Sequence, residues 1–291
     1  MSQPTTSSRP VEHSGTFRIG DELTVRQLGF GAMRIVGPGI WGPPEDLDNS
    51  IEVLRRSVDL GVNLIDTAEA YGPDVSEELI REALHPYPEE LVIATKGGIH
   101  RPSVRQLTPN GSPEFLRRGV EGSLRKLGVE TIDVYQLHRI DPQIPVEESL
   151  GALKELRDEG KIRHIGLSEV SIEELEGARR VVEIATVQNR YNVADREHDQ
   201  VVDHCEREGI GFIPWFPLAT GSLARPDGPL EAIARRTGAT PSQLALAWLL
   251  QRSSAMLPIP GTASLEHLAE NCAAAVLRLS AEDLSALDNI A

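Results

Sequence analysis

The sequence predicts an α/β chain, a (β/α)8 TIM barrel with an N-terminal β-hairpin and extra C-terminal helices. Three observations predict it. Short runs rich in Val, Ile and Leu alternate with helix-length stretches along the chain, as in a parallel sheet whose strands are joined by helices. Eight such units fit into 291 residues without a long linker or a break in composition, which favours a closed barrel. Three successive runs also stop on polar residues, Asp66, Lys96 and His138, so those groups share one rim of the sheet.

Residues 1–15, polar and rich in Ser, Thr and Pro, are expected to form a disordered tail before a single barrel domain over 16–291. A hairpin is expected at Thr16–Val25, turning at Gly20-Asp21. The strands of the barrel are then Gln27–Met33, Asn63–Asp66, Leu91–Lys96, Ile132–Leu137, Ile162–Leu167, Ala185–Gln188, Ile210–Trp215 and Ala255–Pro258. The helices between them are Asp48–Leu60, Ser76–Leu84, Pro113–Leu127, Val146–Glu159, Ile172–Val182, Glu197–Glu208, Pro229–Thr237 and Pro241–Gln251. Ser264–Ala275 and Ala281–Ile290 close the chain. Local signals support the phasing. The helix from Pro113 ends in Ser123-Leu-Arg-Lys-Leu-Gly128, basic residues followed by a glycine stop, and Pro241 follows Thr240 as a first helical residue follows its cap.

A formal charge of −15 argues against a nucleic-acid or anionic-membrane surface. No apolar stretch is long enough to span a membrane, and the first residues lack the apolar core of a signal peptide. The two cysteines, Cys205 and Cys272, are isolated, without metal-ligand spacing or a disulfide framework. A reducing cytoplasm fits. No Gly-x-Gly-x-x-Gly follows the first strand, which argues against a doubly wound dinucleotide fold; Gly29-Phe30-Gly31-Ala32-Met33 has only part of that spacing.

Barrel enzymes carry their sites on the C-terminal rim. The strands here end in Asp66, Lys96, His138, Ser168 and Gln188, and the seventh in Trp215-Phe216. With Tyr71 just beyond Asp66, a tyrosine beside a lysine suggests proton transfer to a carbonyl. Taken singly, Tyr71 reads as a packing residue, Lys96 as a surface cation, Asp66 as a helix cap and His138 as a loop histidine.

Together these residues resemble the aldo-keto reductase superfamily, from about Leu28 to the end of the chain. The matching motifs are Gly61–Gly72 with Asp66 and Tyr71, Ile93-Ala-Thr-Lys96, Asp133–Asp141 with His138, and Gly166-Leu-Ser-Glu169. Val187-Gln-Asn-Arg-Tyr191, Pro217–Leu223 and Ile259-Pro-Gly-Thr262 through Glu270-Asn271 complete the set. The segment Leu28–Asp46 further looks like bacterial pyridoxal reductases.

The resemblance implies hydride transfer from a dihydronicotinamide to a carbonyl carbon, with Tyr71 as proton donor. Lys96 would be the ammonium beside it, Asp66 the group holding Lys96, and His138 the residue directing the carbonyl oxygen. An ammonium about 4 Å from a phenol favours phenolate by roughly 4 kcal/mol at an effective dielectric near ~20. Desolvation offsets part of that, so Tyr71 is expected to be protonated at neutral pH but readier to ionise than a free phenol. The resemblance places Ser168 and Gln188 at the nicotinamide carboxamide and Trp215 against its ring. Pro217, Leu218, Gly221 and Leu223 would wrap the pyrophosphate, and Gly261, Thr262, Ser264, His267, Glu270 and Asn271 the adenosine end. NADPH is favoured over NADH, although Gly261-Thr262 and His267 stand where many members have Lys-Ser and Arg. Glu169 replaces a common asparagine, and a carboxylate cannot donate to an amide oxygen.

Met33, Trp41 and Arg139 are candidates for the substrate pocket. The chain stops soon after its last helix, so the site is expected to be open. The expected partner is a small-molecule carbonyl substrate, with no nucleic acid, membrane or metal, and a monomer or weak homo-oligomer. Two other classes remain. Potassium-channel β subunits share the barrel and the four residues, so an NADP(H)-sensing regulatory subunit is one alternative. A barrel isomerase or hydrolase using Asp66 and His138 would leave Tyr71, Lys96 and Gln188 unexplained.

Overall fold

The structure is a computed structural model that describes residues 9–20, 22–218 and 230–290. Its centre is a parallel sheet of seven strands: β3 (Phe30–Gly31), β4 (Leu64–Asp66), β5 (Val92–Gly97), β8 (Ile132–Leu137), β9 (Ile162–Ser168), β10 (Thr186–Gln188) and β11 (Gly211–Phe212), in the order β11-β10-β9-β8-β5-β4-β3. The eighth expected strand closes the ring. Phe212 N–H donates to Ala255 O and Leu257 N–H to Phe212 O, both at 2.8 Å, while Gly29 N–H donates to Pro258 O at 2.9 Å. Pro258 and Pro260 have no N–H to offer, which leaves this segment a bridge rather than a regular strand.

The expected strand Gln27–Met33 contracts to Phe30–Gly31, and a short 3-10 turn, Ala32–Arg34, follows at once. Backbones approach closely here. A Cβ on Gly31 would lie 2.6 Å from Ile259 O, and one on Gly261 2.3 Å from Gly31 O. Gly31 is therefore a packing glycine at the barrel seam.

The hairpin of β1 (Thr16–Ile19) and β2 (Leu23–Arg26) forms as expected, except that Asp21 lies outside the described residues. Its Ile19, Leu23 and Val25 pack with Leu64, Val92, Val134 and Ala185 and plug the end of the barrel where the strands begin. The expected disordered tail is corrected for its last part. Pro10–His13 forms a 3-10 turn, and Val11 is fully buried with its N–H donated to Leu60 O at 3.2 Å. Residues 1–8 are outside the described set.

Helices α1 (Leu47–Asp59), α2 (Val75–Leu84), α3 (Pro113–Leu127), α4 (Val146–Asp158), α5 (Ile172–Arg179) and α6 (Asp199–Glu208) follow the strands. The later helices are α7 (Glu231–Thr237), α8 (Pro241–Arg252), α9 (Leu265–Ala273) and α10 (Ala281–Asp288). The signals read from sequence are the ones the backbone uses. Gly128 ends α3 at φ +69°, and the Thr240 hydroxyl accepts from Gln243 N–H to start α8. Between β5 and α3 lies an unexpected antiparallel pair, β6 (Ile99–Ser103) and β7 (Gln106–Pro109), which is mostly exposed. Cys205 and Cys272 are buried, and burial pushes both thiols up to about 12. No helix among the described residues is long and apolar enough to cross a membrane.

Candidate active site

The parallel register brings the polar strand ends together. Asp66 closes β4, Lys96 lies near the end of β5, and both are almost fully buried. Lys96 Nζ donates to Asp66 Oδ1 at 2.6 Å, to Thr67 O at 2.8 Å and to the Tyr71 hydroxyl at 3.5 Å. The second carboxylate oxygen, Asp66 Oδ2, accepts from Gln136 Nε2 at 3.1 Å and from Gln188 Nε2 at 2.9 Å. Burial pulls the Lys96 ammonium down, but Asp66 and Tyr71 outweigh it and its pKa is raised.

Tyr71 stands on the loop between β4 and α2. Burial pushes its phenol up, Lys96 pulls it back, and Asp66 pushes it up again; the net direction is up. The expectation that it ionises more readily than a free phenol is therefore corrected: desolvation outweighs the neighbouring ammonium. The His138 ring lies edge-on to Tyr71, with centroids 6.2 Å apart. Burial, and then Lys96 and Arg139, hold its pKa well below the ordinary imidazole value, so the ring is neutral at pH 7. Its Nδ1 is buried without a hydrogen-bond partner among the described residues.

A cleft of about 970 Å³ opens above this floor. Its lining includes Asp66, Tyr71, His138, Ser168, Gln188 and Trp215, with Lys96 beneath it. Ser168 Oγ accepts from Arg139 Nη1 at 3.0 Å, so its own proton is free to be donated. Gln188 commits Nε2 to Asp66, which leaves its side-chain oxygen as the acceptor it can offer. One donor beside one acceptor complements a carboxamide. Pro217 and Leu218 line the same cleft; Gly221 and Leu223 lie outside the described residues. At the far end Gly261, Thr262, His267, Glu270 and Asn271 line it. Ser264 does not. Its hydroxyl caps α9 by accepting from His267 N–H at 3.3 Å.

Of the three substrate candidates, Met33 and Arg139 line the cleft. Trp41 is not among the lining residues. Its ring packs against the Arg101 guanidinium at 5.4 Å, and its backbone bridges Gly72. Sequence reasoning missed Arg101 itself. This residue of β6 donates to Ile40 O at 2.6 Å, Gly39 O at 2.7 Å, Ala70 O at 2.8 Å and Val104 O at 3.3 Å. It thereby ties the first rim loop to the loop carrying Tyr71. Val104 and Leu107 add an apolar wall from the same hairpin. Arg34 and Phe216 also line the cleft. The pairing of Trp215 with Phe216 was visible as an aromatic strand end; the hairpin gave no periodic signal.

The chain matches the aldo/keto reductase family over residues 27–291. It belongs to the aldo/keto reductase family. Among its relatives are the uncharacterized oxidoreductase C215.11c of Schizosaccharomyces pombe, 46% identical over 99% of this chain and 94% of that one. Pyridoxine 4-dehydrogenase of Escherichia coli is 45% identical over 95% of this chain and 98% of its own length. An aldo/keto reductase from Klebsiella pneumoniae, solved in complex with NADP and acetate, superposes with a TM-score of 0.80 at 29% identity, covering 94% of both chains. This aldo/keto reductase is thus an oxidoreductase, and its cleft opens where barrel enzymes carry out their chemistry.

Proposed function

We propose that this aldo/keto reductase is an NADPH-dependent carbonyl reductase of broad range, acting on small aldehydes and ketones with Tyr71 as general acid. The observation that carries the reading is the buried Asp66–Lys96 pair set directly beneath the Tyr71 hydroxyl at the floor of the cleft. NADPH bound there supplies a hydride to the carbonyl carbon. The protein supplies the rest. Ser168 and Gln188 hold the carboxamide, and Trp215 offers a flat face to the ring. Tyr71 gives its proton to the carbonyl oxygen while Lys96 stabilises the phenolate left behind. His138, neutral, steers the oxygen by hydrogen bonding. Thr262 and His267 line the far end of the cleft and would meet a 2′-phosphate with less fixed charge than the Lys-Ser and Arg of many family members; the NADP bound by the Klebsiella relative supports that cofactor.

Pyridoxal is the second candidate substrate, favoured by the 45% identity to pyridoxine 4-dehydrogenase across nearly both full lengths. The test is oxidation of NADPH and NADH with pyridoxal and with a reactive aromatic aldehyde, for the wild type and Tyr71→Phe. Turnover lost by a factor of about 100 or more in the variant, with NADPH binding intact, is expected. Retained turnover in Tyr71→Phe would remove Tyr71 as the acid. Tight NADPH binding without turnover on either aldehyde would favour a sensing role.

A further inference from the structure

Glu169 follows Ser168 at the rim and holds φ at +60°, a conformation that non-glycine residues seldom adopt. Its contacts account for it. Glu169 N–H donates to Gln188 O at 3.0 Å, and its Oε1 accepts from Arg190 N–H at 2.9 Å and from the indole N–H of Trp215. One residue thus links the rim ends of β9, β10 and β11. The other side of the indole is set as well. Phe216 packs edge-on to Trp215 at 5.5 Å, and the Arg190 guanidinium lies 5.5 Å from the Phe216 ring. Trp215 nevertheless lines the cleft.

An indole has a single polar atom, and holding that atom while the backbone holds Cβ fixes the plane of the ring. A carboxylate is a strong acceptor for it. We propose that Glu169 is a positioning residue that sets the plane of Trp215, so that the ring presents a pre-oriented face to the nicotinamide. The proposal rests on the reading above that NADP(H) binds in this cleft against Trp215. An indole free to pivot has to be ordered when the cofactor arrives, and that ordering weakens binding. Glu169 removes this cost in advance and does not itself touch the cofactor.

The experiment is NADPH binding, followed by the cofactor's fluorescence, to the full-length protein and five variants: Glu169→Ala, Glu169→Gln, Glu169→Gly, Trp215→Phe and the double variant Glu169→Ala/Trp215→Phe. Glu169→Ala is expected to weaken NADPH about 3- to 10-fold. Glu169→Gln should stay within about twofold of wild type, because its amide oxygen still accepts from the indole. In the Trp215→Phe background, which has no ring N–H, Glu169→Ala should add no loss beyond about twofold. Glu169→Gly, which relieves the positive φ, carries the same expectation as Glu169→Ala and replaces it if the alanine variant does not fold. Equal losses from Glu169→Ala in both backgrounds would overturn the proposal, as would wild-type binding by Glu169→Ala or a Glu169→Gln as weak as it. A sixth variant, Trp215→Ala, tests the stacking itself: NADPH binding like wild type there would remove the stacking assignment, and the proposal with it.

Discussion

Replacing Lys96 with methionine strands the Asp66 carboxylate in the barrel floor. Lys96 is fully buried, and its Nζ sits 2.6 Å from Asp66 Oδ1. Removing one member of a buried ion pair costs about 3–5 kcal/mol, because the remaining charge stays out of water. Gln136 and Gln188 still donate to Asp66 Oδ2, which puts the expected loss in the lower part of that range, ~3–4 kcal/mol. Unfolding entropy of about 2.1 cal/mol/K per residue gives roughly 0.6 kcal/mol/K for 291 residues. The melting temperature should therefore fall by about 5–7 °C. The decisive control adds Asp66→Asn. The double variant buries no charge, yet its side-chain oxygen can still accept from both glutamines, so it should recover about half of the loss or more. Calorimetry of the wild type, the two single variants and the double variant reads this directly. A Lys96→Met protein as stable as wild type, or a double variant no more stable than Lys96→Met, would refute the buried-charge argument.

Two further perturbations test the surroundings of Tyr71. Burial, then Glu77, raises the Glu69 carboxyl from 4.5 to about 7, against the opposing Gly98 N–H and Lys126; Asp74 adds a smaller upward push. A carboxyl raised on folding binds more protons folded than unfolded, so stability should fall as pH climbs from about 4.5 to 7. Glu69→Gln, which can still accept from Gly98 N–H, should remove that slope and gain on the order of 2–3 kcal/mol at pH 8. Urea melts at pH 5 and pH 8 check it, and an unchanged slope counts against the assignment. Arg101→Met should lower kcat/KM about tenfold, because Ala70 beside Tyr71 loses its tether. NADPH affinity should not move; kinetics indistinguishable from wild type would make the four carbonyl contacts merely structural.

The barrel was legible because its strands are short apolar runs, five of them with polar stops at Asp66, Lys96, His138, Ser168 and Gln188, and the parallel register carries those stops to one rim. Ile132–Leu137 and Pro113–Leu127 coincide with the expected bounds because apolar periodicity and caps agree there. The hairpin Ile99–Pro109 was not legible. Its strands are largely exposed and contain Pro102 and Pro109, so no alternating pattern marks them. Arg101 was missed with it, since its role lies in the carbonyls of Gly39, Ile40 and Ala70 on distant loops, which carry no side-chain signature. Trp41 was misplaced for the converse reason. It was a candidate because it follows the first strand, but tertiary packing set its ring against Arg101.

The upward shift of Tyr71 is consistent with its proposed role as an acid once the protons are followed. A lysine ammonium has three N–H donors and no acceptor. Those of Lys96 have three oxygens to meet: Asp66 Oδ1, Thr67 O and the Tyr71 hydroxyl. The Tyr71 oxygen is thus an acceptor toward Lys96, and its own proton must point elsewhere. The cleft is the side on which Tyr71 is lined up with His138. A phenol that holds its proton at neutral pH, with that proton directed into the cleft, is primed to donate to a carbonyl oxygen. The ammonium behind it acts most strongly after transfer, when the oxygen it touches has become negative. Desolvation therefore keeps the acid loaded in the resting enzyme but makes it a weaker acid, a cost that Lys96 lowers without cancelling.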